Sequence, residues 1–265
     1  TVASSLKFHR KYGGIVPEIA SRMQLETIAQ VSDLALNRAK LKLKDIGLIS
    51  VTNRPGLLGS LLVGISFAKA LSLSLGIPLL GVDHLYSHVY ASFLNAKFPV
   101  LPFVALVVSG GHTSLFYIRG FDRIELLGAT LDDACGEAFD KVARLLGLGY
   151  PGGAILSLIA KRGNPNAYSF TVPLHRRKDL DFSYSGIKAA MVRLVKQITM
   201  DEKRSLTRKE ISDLSASFQK VAIQHLVERT KRALQMVKVK SLIVVVGVSA
   251  ILVLRIELRN ICRSN

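Results

Sequence analysis

The chain has no tryptophan, only two cysteines, Cys135 and Cys262, and aromatics at just 7% of its 265 residues. Two thiols exclude a disulfide-stapled scaffold and a zinc ribbon, and they suit a reducing compartment. With few aromatics outside the strand-like runs there is no base-stacking platform, so a nucleic acid would be read by shape and backbone. Acids are scarce too: 19 Asp and Glu stand against 36 Lys and Arg, a formal net charge of +17. The excess gathers in residues 40–44, 176–178, 203–209 and 229–240. It points to a polyanionic partner, because clustered cations gain affinity by releasing counterions from nucleic acid. Long uninterrupted apolar runs are also missing. The stretch 242–254 is too short to span a bilayer and reads as a buried strand entering a turn, and the helix after Gly59 is interrupted by Lys69. The expectation is a cytoplasmic protein with no membrane segment.

What is present can bury a core, since nearly half the residues are apolar and no tract is of low complexity; the length favours one large domain or two lobes. Pro17 predicts the first turn of a helix to about Lys40, with Ile19, Met23, Ile28, Val31 and Ala35 roughly on one stripe. A strand over 47–52, a turn at 53–56, a helix over 57–75 stopped by Gly76, a strand over 77–82 and a helix over 84–95 follow. That alternation predicts a parallel α/β sheet with crossover helices. Near 99–102 the rhythm changes. Residues 103–108, a glycine turn and 114–119 read as an antiparallel hairpin opening a second lobe, so the lobes are expected at 1–100 and 101–265. Helices are expected at about 132–146, up to Ala160, 185–196 and 206–237, then a strand over 241–246.

Three places can carry chemistry. His84 and His88, four residues apart, share one face of a helix and could grip one ion. Ser109-Gly110-Gly111-His112-Thr113 offers backbone N–H groups to anionic oxygens. Each has an ordinary reading as well, since paired helical histidines are more often plain polar or core residues and Ser-Gly-Gly is a common hairpin turn. Together they point to a metal beside a phosphate. Two imidazoles leave an ion in need of oxygen ligands, which describes a Lewis-acid site; Leu85 stands where a zincin carries its glutamate, so a peptidase is poorly supported. The third place is the segment 132–141, where Asp133, Glu137 and Lys141 are expected in one helical row with Asp140 adjacent. Such acids can be dipole partners on a solvated face, or can bind ribose hydroxyls, a substrate amine or a second cation. Cys135 has no sequence-near base and reads as packing, not as a nucleophile.

In order along the chain, residues 12–22 (Tyr-Gly-Gly-Ile-Val-Pro-Glu-Ile-Ala-Ser-Arg), 55–61, the two histidines, 108–113, 132–141, Pro151-Gly152-Gly153 and 182–188 (Phe-Ser-Tyr-Ser-Gly-Ile-Lys) form a set. On those seven motifs the chain resembles the TsaD family of tRNA threonylcarbamoyltransferases, formerly described as glycoproteases. The resemblance implies an α/β, actin-like ATPase fold of two lobes with a substrate cleft between them. It implies transfer of a threonylcarbamoyl group from threonylcarbamoyl-AMP to N6 of the adenosine next to the anticodon, in tRNAs that read codons beginning with A. It also implies protein partners, and one divalent metal, usually iron or else zinc, on His84 and His88. Val107, Val108, Ser109, Gly110, Gly111, Asp140 and Gly153 correspond to substrate contacts, and no residue is assigned as catalytic.

The resemblance breaks in places. Nothing before Thr1 corresponds to the family's opening Gly-Ile-Glu-Thr-Ser-Cys-Asp-Asp, and the chain stops at Asn265 before the late aspartate that completes the metal ligands, so truncation at both ends is expected. Gly-Gly-Val-Ser-Ala-Asn appears as Val246-Gly247-Val248-Ser249-Ala250-Ile251, with isoleucine in place of an adenine-binding asparagine, and Gln24 replaces a frequent histidine. The alternative reading is a non-catalytic scaffold that keeps the fold; a sugar-kinase or chaperone-like ATPase is weaker, because such chemistry does not need the paired histidines.

Overall fold

The computed structural model describes Val2, Tyr12, Gly247 and residues 14–94, 98–201, 203–245 and 252–264. The chain divides into two compact units, Thr1–Ala91 and Ser92–Asn265.

In the first unit, helix α1 (Pro17–Ala39) starts with proline in its first turn and stops where Lys40 turns left-handed at φ 57°. Strands β1 (Ile49–Arg54) and β2 (Leu79–Asp83) pair in parallel from Ile49↔Leu79 onward. Helix α2 (Leu58–Leu75) is the crossover between them, ended by Gly76 at φ 64°, a conformation that costs glycine little. Helix α3 (His84–Ala91) follows β2 without a gap, two turns long, not the three expected to residue 95, and residue 95 itself lies outside the described residues. The β-α-β-α order and parallel pairing agree with the sequence reading. The expected α1 stripe is only half-buried, Ala35 is exposed, and the one buried residue of α1 is Ala20.

Helix α2 is, among the described residues, the one helix long and apolar enough to cross a membrane by length and composition, with a mean hydropathy of 1.7. Lys69 does not interrupt it. As the link between two parallel paired strands it cannot enter a bilayer without carrying open sheet edges along, which lipid does not tolerate.

The second unit is built on a four-stranded mixed sheet in the order β5-β4-β3-β6. Strands β3 (Phe103–Val108) and β4 (Thr113–Ile118) form the expected hairpin, Phe103↔Ile118 to Val108↔Thr113. Strand β5 (Ile124–Ala129) adds antiparallel to β4, and β6 (Leu242–Val245) parallel to β3. All six residues of β3 are buried. Helices α4 (Cys135–Leu145), α5 (Gly153–Ala160), α6 (Ser185–Lys196) and α7 (Arg208–Met236) supply much of the rest of the core, in which Leu106, Phe139, Met191, Leu214 and Phe218 are all essentially inaccessible. A reciprocal cap opens α7: the Glu210 amide donates to Thr207 Oγ1, and the Thr207 amide donates to Glu210 Oε2 at 2.8 Å.

The stretch 242–254 departs from expectation. The strand covers only Leu242–Val245, and Leu252 opens helix α8 (Leu252–Ser264). Leu254 and Leu258, one turn apart, are buried while Arg255 and Arg259 are exposed, so the segment obeys a helical period that its apolar start conceals.

Candidate active site

Helix α3 starts at His84 because Asp83 caps it: Asp83 Oδ1 accepts the amides of Leu85 at 2.9 Å and Tyr86 at 3.3 Å. The histidines then fall one turn apart, with Nε2 of His84 and His88 separated by 3.1 Å and the ring centroids by 4.4 Å. Two imidazole nitrogens each about 2.1 Å from one ion stand about 3.0 to 3.4 Å apart at angles of about 90–110°. The pair therefore has the bite of a two-nitrogen metal site, and it equally admits an N–H···N hydrogen bond between the rings. Burial first, and the neighbouring His84 second, lower the His88 pKa, which favours the neutral ring a metal needs. Among the described residues no group of three or more His, Cys, Asp or Glu side chains gathers in metal-binding fashion. Asp83 is engaged with the helix start and with Arg54 at 3.4 Å.

In the second unit the glycine turn is less bare than its sequence suggests. Ser109 Oγ accepts the amides of His112 at 2.9 Å and Gly111 at 3.3 Å, and the Ser109 amide donates to His112 O at 2.8 Å. Val107 and Val108 are wholly buried, with Val107 opposite Ser114 and Val245 and Val108 opposite Thr113 in the ladder, so neither side chain can meet a ligand. That leaves Ser109, Gly110 and Gly111 at the surface, and a Cβ on either glycine would meet nothing within 4 Å. Helix α4 docks its first turn onto this loop. Gly136 donates its amide to Ser109 O at 3.2 Å, and Cys135 donates its amide to Thr113 Oγ1 at 2.8 Å. Any Cβ at Gly136 would lie 2.4 Å from Ser109 O, so the contact requires glycine.

Gly110, Asp140 and Gly153, widely separated in sequence, border one cavity of about 560 Å³. Asp140 Oδ1 accepts the amides of Gly152 at 2.9 Å and Gly153 at 2.8 Å, fixing the start of α5. Phe139, Leu158 and Leu252 make its walls apolar, and Lys161 is the cation among the lining residues. Sequence reasoning missed Lys161, which stands just past the end of α5 with no local motif to flag it.

The acidic segment has a different task from those considered for it. Asp132 and Asp133 precede α4 instead of lying in it, so the expected helical row is broken, although Lys141 still reaches Asp133 at 2.6 Å and Glu137 at 2.7 Å. Asp132 accepts the amides of Tyr184 and Ser185 and the hydroxyls of Ser183 and Ser185. Asp133 is also paired with Lys188. Both carboxyl pKa values are lowered, against the burial that opposes ionisation, by hydrogen bonds to the serines for Asp132 and to the two lysines for Asp133. These acids clamp the motif 182–188 to the start of α4 and leave little capacity for ribose or a cation. Cys135 is fully buried and its thiol is pushed up to about 12, in keeping with a packing role. Val246 and residues 248–251, including Ile251, lie outside the described residues.

Comparison with known proteins matches all of residues 1–265 to the family model "TsaD: tRNA N6-adenosine threonylcarbamoyltransferase". A tRNA N6-adenosine threonylcarbamoyltransferase of Thermosipho melanesiensis is 47% identical over 249 residues, covering 94% of this chain and 74% of the relative. Its namesake in Symbiobacterium thermophilum is 50% identical over 262 residues, covering 98% and 74%. Another, from Syntrophotalea carbinolica, is 46% identical over 248 residues, covering 94% and 71%.

Proposed function

The chain belongs to the TsaD family of tRNA N6-adenosine threonylcarbamoyltransferases, whose fold is of the α/β, actin-like ATPase kind, and from that premise we propose that it moves a threonylcarbamoyl group from threonylcarbamoyl-AMP to N6 of the adenosine next to the anticodon, in tRNAs reading codons that begin with A. It acts in the cytoplasm with the protein partners of this modification. Its two lobes are taken as 1–100 and 101–265.

The observation that carries the reading is the cavity where Gly110, Asp140 and Gly153 converge. Apolar walls suit a nucleobase, and Lys161 and the open face of the glycine turn suit a phosphate. The chemistry explains why positioning is the main task. The lone pair of an exocyclic adenine amine is delocalised into the ring, so N6 is a weak nucleophile. In the transfer N6 bonds to the carbamoyl carbon, the bond from that carbon to the phosphate oxygen breaks, the amine gives up a proton and AMP leaves. Holding the donor against a preorganised turn lowers the barrier through fixed geometry, and the Gly110 amide, which the turn's own hydrogen bonds do not use, can meet the charge that grows on oxygen. Ser109, Gly110, Gly111, Asp140 and Gly153 are the substrate-binding set, with Val107 and Val108 supporting the turn through the backbone. His84 and His88 would hold a divalent metal, iron or zinc, which when bound would supply Lewis-acid chemistry.

The test is nucleoside mass analysis of unmodified tRNA incubated with the full chain, threonine, bicarbonate, ATP and the partner enzymes. N6-threonylcarbamoyladenosine is expected; its absence where the Thermosipho melanesiensis relative produces it overturns the reading. Metal analysis should find one ion per chain, lost in His84→Ala/His88→Ala.

One observation favours a second reading, a scaffold that keeps the fold without turnover. Ile251 stands where the family pattern has asparagine, and a lost hydrogen bond to buried adenine costs about 1 to 3 kcal/mol. Ile251→Asn should raise the transfer rate about tenfold if the chain is a weakened enzyme and leave it at zero if it is a scaffold.

A further inference from the structure

Between α5 and α6 the chain carries the basic run His175-Arg176-Arg177-Lys178, followed by Asp179 and Asp181. Arg229 of α7 lies beneath it and is only 2% exposed, one of the largest fully buried side chains of the protein. Its guanidinium donates to the backbone carbonyls of Leu174 at 2.5 Å, Arg177 at 2.9 Å and Asp179. Arg232, one turn nearer the C-terminus, donates to the same Arg177 carbonyl at 2.5 Å. No carboxylate lies within ion-pair distance of Arg229 among the described residues. Leu174 adopts a left-handed φ of 51°, a strained value for a leucine that the bound guanidinium holds in place.

The two acids of the segment are both spent. Arg177 engages Asp179 at 2.6 Å and Asp181 at 3.8 Å, and Asp181 also accepts the Ala129 amide at 3.1 Å, tying the segment to β5. His175, Arg176 and Lys178 are exposed, and none forms an ion pair among the described residues. The apolar members, Leu174 and Leu180, are partly and fully buried, so nothing here is offered to a lipid surface. A buried cation that lacks a direct ion pair, with Asp179 and Glu228 near enough to offset its charge but Arg232 and Arg177 opposing them, sits under a rim of further cations at a cost in stability. A bound polyanion recovers that cost, and a loop fixed in advance loses little entropy on binding.

We propose that residues 174–178 form a preorganised surface for the phosphate backbone of tRNA, with His175, Arg176 and Lys178 facing the phosphates and Arg229 positioning them from below. The proposal rests on tRNA being the substrate, as inferred above.

The test is equilibrium binding of an unmodified tRNA transcript to the full-length protein across about 0.05 to 0.2 M KCl. Arg176→Gln/Lys178→Gln removes two exposed charges; it should weaken binding about tenfold near 0.1 M salt and make the log–log salt slope shallower by roughly 1.4 to 1.8. A charge-matched control in the first unit outside the basic runs, Arg38→Gln/Lys69→Gln, both exposed, should stay within about twofold of the parent. Arg229→Met should weaken binding as well and add little to the Arg176→Gln/Lys178→Gln loss, whereas a purely structural role predicts additive losses. If Arg229→Met does not fold, the surface pair decides alone. Unchanged affinity and slope in Arg176→Gln/Lys178→Gln, or an equal loss in the control, overturns the proposal. A chain that makes no threonylcarbamoyladenosine yet loses tRNA affinity on Arg176→Gln/Lys178→Gln would support this surface while sinking the transferase reading. Transfer with binding indifferent to that pair would sink the surface alone.

Discussion

The two units differ in what holds them together. In Thr1–Ala91 the buried apolar residues among those described are Ala20, Ala68 and Val89, while the second unit buries a whole strand, β3, under α4 and α7. Helix α2 shows the contrast most plainly, being the most apolar long helix yet having only 6% of its length buried. Local signals such as Pro17, Gly76 and the Asp83 cap are enough to define elements in the first unit. Stability resides in the second, where distant segments exclude water from one another. The glycine turn and its cavity belong to the well-buried unit, and the paired histidines to the sparsely buried one.

Substitutions at matched sites can break or sharpen that comparison. The largest effect is expected for Phe218→Ala, which empties a fully buried ring site against Phe139 and should cost about 3 to 5 kcal/mol in denaturant unfolding. Next comes pH. His225 is buried, accepts the Ser183 amide on Nε2, and is pushed down to about 4 by burial first and by Arg229 second. Between about 6.5 and 4 the unfolded chain therefore binds a proton that the folded one refuses, and stability should fall by about 3 kcal/mol as pH drops through that window. Unfolding of the parent and of His225→Gln at pH 7 and 4.5 checks this, the variant losing less on acidification. Asp132 and Asp133, with lowered pKa values, act at lower pH, their contribution present above the free carboxylate range and lost below it. Gly136→Ala should cost about 1 to 3 kcal/mol by forcing α4 off the glycine turn, and should lower the transfer rate more than Phe218→Ala at matched stability. The smallest effect belongs to the first unit: Leu62→Ala, at a side chain 53% exposed, should change the unfolding free energy by no more than about 0.5 kcal/mol.

Where a signal was short-range, the sequence was enough. Helix α6 fell on the expected residues 185–196, and the β-α-β-α order, the hairpin and the histidine spacing were all legible because each depends on a few neighbours. Strand β5 escaped notice because it is a half-exposed edge whose pairing shifts register opposite Leu115 and Phe116, which blurs its alternation. Helix α8 was hidden by an apolar opening that hydropathy alone cannot assign to strand or helix. The task of Asp132 could not be read locally, since its partners Ser183, Tyr184 and Ser185 lie about fifty residues on. The same holds for Arg229 and the carbonyls it gathers.

The glycine turn grows directly from β3, which has no exposed residue and is flanked by a strand on each side. A loop rooted so firmly is held to the shape its strands give it. If the turn binds substrate as proposed, its selectivity is set beforehand by a fixed backbone shape, and substitutions at its surface positions change chemistry without changing that shape.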